Sequence, residues 1–272
     1  MITGDFHMHT SFSTDCQSDI ESMLEGAVNK GMKVVCVTDH WDQDFPEKYG
    51  KPGEVLFRFD LDDYFQKLEK IKAMFAGKVD VRFGIELGLQ AHLGAEYARL
   101  IGKYPFDFVI GSLHLVEGTD PYYGEVFKKQ SDAEVYRKAF CETAENLKCI
   151  KDFDVLGHLD YIVRYGKEKE KFYTYEEVRD EIEEILKNLI ATGRGLEVNT
   201  AGWKYGLEFC HPQPEIIKRY RELGGEIITI GSDAHLPEHV GYEFPRAEEV
   251  LRQCGFRYYA QFRNRKPEFI KL

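Results

Sequence analysis

This 272-residue sequence has few long apolar runs, no closely spaced cysteines and no excess of positive charge. No stretch approaches the roughly 18 apolar residues that a membrane-spanning helix needs. The first residues, MITGDFHMHT, contain neither the basic nor the apolar part of a secretion signal. The net charge of −11 argues against a general binder of nucleic acid or anionic membrane, because both targets are negatively charged. A phosphate ligand is still allowed, since bound metal ions supply local positive charge.

The cysteine spacing and the lack of linkers bear on compartment and domain count. The six cysteines lie far apart without a CxxC pair, which favours buried or incidental thiols in a reducing compartment. No Pro/Gly/Ser-rich or charge-block segment divides the chain. We therefore expect one domain over residues 1–272 and a cytoplasmic protein. No pattern indicates the oligomeric state.

Seven short apolar runs each end in a polar residue, usually of a type that binds metal. The runs are ITGDFHMH with His7 and His9, KVVCVTDH with His40, VDVRFGIE with Glu86, FDFVIGSLH with His114, FDVLGHLD with His158, GLEVNT with Asn199, and EIITIGSDAH with Asp233 and His235. Parallel strands standing side by side would bring these side chains to one mouth of an α/β barrel. The sequence therefore predicts a multinuclear metal centre.

Helical patterns alternate with these runs, which indicates βα units around a parallel sheet. Residues 18–31 place Ile20, Met23, Leu24, Ala27 and Val28 at helical spacing before Gly31. Further helices are predicted at 60–77, 131–150, 174–193, 214–225 and 244–255. Seven runs predict a seven-stranded barrel or one with a distorted closure. The later segment RYYAQF is either an eighth strand or an edge strand.

The spacing of the polar residues supports metal binding. His7 and His9 are two apart on a strand and leave the same face, and Asp233 and His235 repeat this geometry. Imidazole and carboxylate together suit Zn, Fe or Mn, and Glu86 is placed to bridge two cations. One HxH pair would be weak support, because histidines at strand ends also satisfy core hydrogen bonds. Six of the nine histidines at strand ends, with carboxylates between them, are not expected by chance.

Some polar residues outside this set have less specific roles. Asp39 and Asp160 neighbour predicted ligands, so they are candidates for orienting imidazoles or for ordinary capping. His92, His211 and His239 stand in polar or Pro-bearing segments, for which we expect surface or loop positions.

Taken together, the motifs resemble the polymerase-and-histidinol-phosphatase (PHP) superfamily. They are HxH at 7–9, Asp15, TDH at 38–40, GxE at 84–86, SxH at 112–114, GHxD at 157–160 and SDAH at 232–235, in the family's order. Within it, HLDYIVRYG and EVNTAG followed by WKYG resemble the histidinol-phosphatase branch.

The resemblance implies a distorted (β/α)7 TIM-like barrel that holds three divalent metal ions, with zinc, iron and manganese as candidates. Carried over by motif, the first ion takes His7, His9, Glu86 and Asp233; the second shares Glu86 and adds His114 and His158; the third takes Asp15, His40 and His235. Some family members have histidine at the position of Asp15.

The branch further implies a histidinol-phosphatase, a phosphoric monoester hydrolase that converts L-histidinol phosphate to L-histidinol and phosphate in histidine biosynthesis. Our hypothesis is that a hydroxide bridging the first two ions, which share Glu86, attacks phosphorus in line. Asp233, His235 or a water on the third ion protonates the leaving alkoxide. Arg164, Lys204 and Asn199 are the candidates for binding this small phosphorylated substrate.

Four alternatives compete with this interpretation. A PHP phosphoesterase for another small phosphomonoester or a nucleotide comes first. A proofreading exonuclease is disfavoured, because the chain is acidic and lacks a basic strand-binding groove. A non-catalytic metal-binding module should have lost some ligands. A metal-dependent amidohydrolase also uses HxH, but its usual bridging lysine has no candidate at a strand end here.

Overall fold

The computed structural model describes residues 1–272, except for the side chain of Phe172. Its strands, in chain order, are β1 (Gly4–Asp5), β2 (Val34–Val37), β3 (His40–Trp41), β4 (Asp80–Gly88), β5 (Phe108–Ser112), β6 (Val155–Leu156), β7 (Gly195–Asn199), β8 (Ile228–Gly231), β9 (Tyr258–Arg263) and β10 (Lys266–Lys271). Strands β1 to β8 form one sheet, in which all pairs are parallel, and β9 and β10 form an antiparallel hairpin.

The sheet closes into a barrel. Its order is β1-β2-β4-β5-β6-β7-β8. Both β2 and β3 pair with β4, at successive registers, so they are two parts of one barrel strand that is interrupted at residues 38–39. Hydrogen bonds from Phe6 N to Ile230 O (3.0 Å) and from Asp233 N to His7 O (2.8 Å) join the two ends. The fold is the distorted (β/α)7 barrel that the sequence predicts.

Helices connect successive barrel strands. They are α1 (Ile20–Asn29), α2 (Leu61–Met74), α3 (Gly94–Lys103), α4 (Asp132–Cys149), α5 (Arg179–Ala191), α6 (Ala201–Lys204), α7 (Pro214–Glu222) and α8 (Phe244–Gln253). Side-chain caps fix several helix starts: Asp19 accepts from Ser22 N, and Ser131 forms a capping box with Glu134. In the part of the chain that the structure describes, no helix is long and apolar enough to cross a membrane.

The six predicted helical segments contain α1, α2, α4, α5, α7 and α8. The sequence did not predict α3 and α6. Of the α3 side chains only Tyr97 is fully buried, so the apolar stripe of this helix is narrow. Helix α6 has a single turn, which is too short to leave a periodic pattern.

Apolar side chains fill the end of the barrel at which the strands begin. Phe6, Cys36, Phe108, Ile110 and Val155 form this cluster, and β9 adds Ala260 and Phe262 to it. The hairpin is held there by Asn264 N, which donates to Asp107 (3.0 Å), and by Arg265, which donates to Asp154 (2.6 Å). RYYAQF therefore lies in a hairpin strand outside the barrel sheet. The hairpin and its polar partners close the end of the barrel at which the strands begin, and they leave the opposite end open.

Candidate metal centre

The predicted ligands converge at the end of the barrel where the strands finish. His7 and His9 follow β1, His40 opens β3, and Glu86 lies in β4. His114 and His158 come two residues after β5 and β6, and Asp233 and His235 follow β8. Most of these side chains are buried; Asp15, at 44 % exposure, and His235, at 23 %, are the most open. Residues from one end of the chain to the other thus share one site.

Glu86 lies at the middle of the site and is fully buried. One carboxylate oxygen, Oε2, is 3.2 Å from His7 Nε2 and 2.9 Å from His40 Nδ1. The other, Oε1, is 3.2 Å from His114 Nε2 and 3.0 Å from His158 Nε2. The two oxygens therefore face different pairs of imidazoles, which is the arrangement a ligand shared by two cations requires.

Asp233 completes the side of the site nearest β1. Its Oδ1 lies 3.3 Å from His9 Nε2 and 3.9 Å from His7 Nε2. The Asp233 backbone has a φ of 52°, in the left-handed region that Asp tolerates better than most residues. This turn, fixed by the bond from Asp233 N to His7 O (2.8 Å), keeps the carboxylate beside the two histidines.

A third group lies nearer the mouth. Asp15 Oδ2 is 3.2 Å from His235 Nε2 and 3.7 Å from His40 Nε2. The His9 ring stacks on both His40 and His235, with centroids 4.2 and 4.3 Å apart. The structure thus brings Asp15, His40 and His235 together, with His9 beside them.

Unpartnered buried atoms indicate what this arrangement can hold. His7 Nε2, His9 Nε2, His40 Nδ1 and Glu86 Oε2 are buried and close to one another, but none of them has a neighbour in hydrogen-bond geometry among the described residues. Four sets of residues each bring one ligand atom per residue within 4.8 Å of one another: His7–Glu86–His158, His7–His9–Asp233, His9–His40–His235 and His40–Asp42–His114. Buried polar atoms left unpaired are costly, and coordination to cations would satisfy them. The residues therefore fit divalent metal ions.

Burial and neighbouring charges set the protonation of the imidazoles. Burial lowers the pKa of His9 well below its usual value, and the charges of His40 and His235 lower it further. Burial also lowers the pKa of His40, but the carboxylates of Glu86 and Asp15 outweigh it and raise that pKa to about 9. Metal binding at His40 must therefore release the proton that these carboxylates retain.

Two buried carboxylates that the sequence analysis did not single out orient the imidazoles. Glu197 Oε1 lies 2.6 Å from His7 Nδ1, and Asp42 Oδ1 lies 2.7 Å from His114 Nδ1. Each carboxylate fixes one ring nitrogen, so the opposite Nε2 points at Glu86. Glu197 lies two residues before Asn199, on the same face of β7, which is the one signal that could have identified it.

The two aspartates that the sequence did single out have other partners. Asp160 Oδ1 lies 2.6 Å from Nδ1 of His211, so it does not orient the neighbouring His158. His211 lies in the loop between α6 and α7, which is one of the two expected positions, but it is fully buried, so a surface position for it was wrong. Asp39 accepts from the Ser13 hydroxyl (2.6 Å), and Ser13 in turn lies 3.2 Å from His9 Nδ1. Asp39 therefore reaches a ligand only through Ser13.

Arg164 lies near His158, at one edge of the site. Its guanidinium carbon is 4.2 Å from the ring centroids of both Tyr161 and Tyr205, and Nη2 donates to the Tyr165 hydroxyl at 2.6 Å. Its Nε and Nη1 are buried without a partner among the described residues. The Tyr161 ring is also 4.8 Å from the His158 ring. Arg164 thus offers two unused donors next to the predicted metal ligands.

Lys204 and Asn199 also border the centre. Lys204 Nζ donates to the Asp233 carbonyl at 2.9 Å. Asn199 is fully buried, its amide nitrogen donates to Glu197 Oε2 at 3.2 Å, and its oxygen accepts from Ala201 N at 3.0 Å. Asn199 thus contacts Glu197, which orients the predicted ligand His7.

Comparison with known proteins gives the family. The sequence model of the PHP domain matches residues 5–201. The chain belongs to the PHP domain family. Asp233 and His235 lie beyond the matched segment. The structure places Asp233 next to His7, which lies inside that segment.

The PHP relatives match along nearly the whole chain. A "probable histidinol-phosphatase" of Clostridium acetobutylicum is 34 % identical, with 93 % of this chain and 94 % of the relative covered. The histidinol-phosphatase of Lactococcus lactis subsp. lactis is 28 % identical, with 96 % and 95 % covered. A crystal structure of histidinol phosphate phosphatase from that organism, complexed with Zn, L-histidinol and phosphate, superposes with a TM-score of 0.88 at 28 % identity and covers 98 % of both chains.

Proposed function

We propose that this chain is a metal-dependent phosphomonoesterase that hydrolyses L-histidinol phosphate to L-histidinol and phosphate, a step of histidine biosynthesis. The observation that carries the proposal is the position of Glu86, whose two oxygens face separate pairs of imidazoles. The names of the relatives, which cover almost the full chain, support this substrate.

We further propose three divalent ions, with zinc favoured because the Lactococcus lactis structure contains it. His7, His9, Glu86 and Asp233 would hold the first, Glu86, His114 and His158 the second, and Asp15, His40 and His235 the third. Bound there, the ions would act as Lewis acids toward the phosphoryl group and lower the pKa of water. The chain's own contribution is the fixed geometry of the ligands, which Glu197 and Asp42 enforce.

Arg164 supports a phosphate substrate. A buried guanidinium with two unused N–H donors matches the fork geometry of a phosphate, and the tyrosine rings around it hold that fork in place. Lys204 adds a second positive charge on the Asp233 side. Asn199 acts on the substrate through Glu197, which it orients.

The leaving alkoxide needs a proton. We propose that Asp233 and His235 pass this proton on from water, since Asp233 Oδ1 and His235 Nδ1 lie 3.6 Å apart on the open side of the site. The six cysteines are free thiols, which supports a cytoplasmic location.

Steady-state phosphate release tests the proposed function. L-histidinol phosphate, p-nitrophenyl phosphate and a nucleoside monophosphate are compared on one preparation whose metal content is measured. A kcat/KM for L-histidinol phosphate far above the other two is expected. Comparable weak rates on all three substrates, with metal bound, would instead favour a PHP phosphoesterase with another small substrate.

A further inference from the structure

Asp120 is a carboxylate in the loop between β5 and α4, at the rim of the metal centre. It precedes a single 3-10 turn, Pro121–Tyr123, and its Oδ1 accepts from Tyr122 N at 2.9 Å. Its own backbone N donates to the Tyr49 hydroxyl at 3.3 Å. One carboxylate oxygen is thus used to hold the turn, which leaves Oδ2 available to a ligand.

The turn that carries Asp120 packs against residues that border the site. Pro121, the next residue, lines a small cavity together with His158 and Tyr161. The Tyr122 ring lies 6.5 Å from that of Tyr165, whose hydroxyl accepts from Arg164. Pro121 and Tyr122 are therefore neighbours of residues 158–165, the segment that carries the predicted ligand His158 and Arg164.

Asp120 has no positive partner of its own. It is half-buried, and no Lys, Arg or His nitrogen of the described residues lies within 4.0 Å of its carboxylate. Burial raises the pKa of Asp120, and the charge of Asp42 adds to this, while His114 and Arg164 lower it. Of these groups, His114 is a predicted metal ligand and Arg164 is the candidate for binding phosphate. A half-buried carboxylate without a cation is suited to bind one from a ligand.

The loop is held in place before any ligand arrives. Tyr49 and Tyr123 stack with centroids 4.0 Å apart and planes 8° from parallel. Lys48 and Glu125 form an ion pair at 2.7 Å between the same two loops. A carboxylate fixed in this way loses little conformational entropy on binding.

L-histidinol phosphate carries the complementary charge. Its ammonium group is on the carbon next to the CH2–O that bears the phosphate, so a phosphate held by Arg164 and the metal ions leaves the ammonium at the rim. We propose that Asp120 binds this ammonium group and thereby selects amino-alcohol phosphates over other phosphomonoesters. The inference rests on the proposed function, because it takes the substrate from there.

A matched pair of substrates tests this. L-histidinol phosphate and its desamino analogue, 3-(imidazol-4-yl)propyl phosphate, differ only in the ammonium group. In the wild-type metal-loaded enzyme, kcat/KM should favour the amine by about 10- to 100-fold, the range of a hydrogen bond to a charged group. Asp120→Asn retains an oxygen to cap Tyr122 N but loses the charge, so this preference should fall close to one. Rates on p-nitrophenyl phosphate should be unchanged and show that the variant is folded.

Glu117→Gln is the matched control, because it removes an exposed charge from the same loop without removing a contact that holds Asp120, and it should leave the preference intact. An Asp120→Asn enzyme that keeps the wild-type preference would overturn the inference. An equal loss of kcat/KM on all three substrates would also overturn the inference, because it would show that Asp120 has a structural role. A wild-type enzyme that hydrolyses L-histidinol phosphate no better than p-nitrophenyl phosphate would instead refute the proposed function, and the inference would fall with it.

Discussion

At the scale of single residues, Glu86 organises the metal centre. It is fully buried among imidazoles. Ser112 Oγ donates a hydrogen bond to its Oε1 at 2.6 Å, so Ser112 as well as the imidazoles fixes the position of the carboxylate. A buried carboxylate is costly unless cations share it. Its removal should therefore affect chemistry more than folding.

Glu86→Ala should lower kcat by more than about 100-fold, since residues that only orient metal ligands already contribute 10- to 100-fold. Phosphate release and metal content would be measured on the same sample, with far-UV circular dichroism to verify the fold. Glu145→Ala, on the exposed face of α4, is the control and should behave as wild type. Near-normal turnover in Glu86→Ala would refute the shared-ligand arrangement.

Asp42 is the second residue with a specific expectation. Its carboxylate orients His114, and Gly88 lies so close that a Cβ there would overlap it. Asp42→Asn keeps the shape but removes the charge that holds the His114 tautomer. We expect metal affinity to fall by about 10- to 100-fold.

Competition with a chelator at graded concentrations measures this loss, because metal retention does not depend on turnover. Asp44→Asn, two residues along and exposed at 54 %, is the control and should retain metal as the wild type does. Identical release curves for Asp42→Asn and the wild type would show that Asp42 does not orient a ligand.

At the scale of elements, α5 and α7 are joined by one carboxylate. Glu183 on α5 accepts from Arg219 on α7, from Lys187 Nζ (2.7 Å) and from the Tyr175 hydroxyl (2.9 Å). The hydrogen bond from Arg219, followed by those from Lys187 and Tyr175, outweighs burial and lowers the pKa of Glu183 to about 2. The ordinary value for the unfolded chain is higher, so this contact stabilises the fold in a pH-dependent way.

The sign of that dependence follows from the lowered pKa. The contribution of Glu183 is complete above the unfolded pKa and is lost as the pH falls toward about 2. Glu183→Gln should lower the free energy of unfolding by about 1 kcal/mol near pH 7, and the difference should shrink as the pH approaches 3. Urea titrations at both pH values measure it. Glu226→Gln is the control, because its contact with Arg221 is exposed, and it should leave the free energy of unfolding unchanged. A loss of stability in Glu183→Gln that does not depend on pH would contradict the role assigned to Glu183.

At the scale of the whole molecule, we propose that residues 1–272 unfold as one unit. The hairpin contributes Phe262 to the interior of the barrel, where its ring lies 4.9 Å from that of Phe108. At the other end, His7 after β1 and Asp233 after β8 lie 3.9 Å apart, and the proposed first metal ion would join them. Both ends of the barrel therefore depend on contacts between the two ends of the chain.

Metal removal should accordingly lower the stability of the entire fold. A ligand that binds only the folded state raises its stability in proportion to RT ln(1 + [L]/Kd), so chelation should lower Tm and added zinc should restore it, in a single transition. Differential scanning calorimetry measures this. Glu86→Ala should respond much less to either treatment. A second transition whose Tm does not change with metal content would show that part of the chain folds independently.

The sequence by itself determined the barrel class and predicted the residues proposed as metal ligands. Strand-like runs that end in His7, His9, Glu86, His114 or Asp233 are local signals, and the side-chain alternation of a strand predicts on which face each residue lies. The capped, periodic helices are local in the same sense. These features are set by neighbours in the chain, so a single sequence is sufficient to predict them.

Only the tertiary structure decided which carboxylate serves which histidine. Asp42 is 72 residues from His114 in sequence, and Glu197 is 190 residues from His7, so no local spacing links them. Asp160, adjacent in sequence to the ligand segment, binds His211 instead. The sequence also did not decide the position of the β9–β10 hairpin, because that position depends on the apolar surface at the end of the barrel where the strands begin. Pairings of this kind follow from barrel closure, which the sequence pattern does not specify.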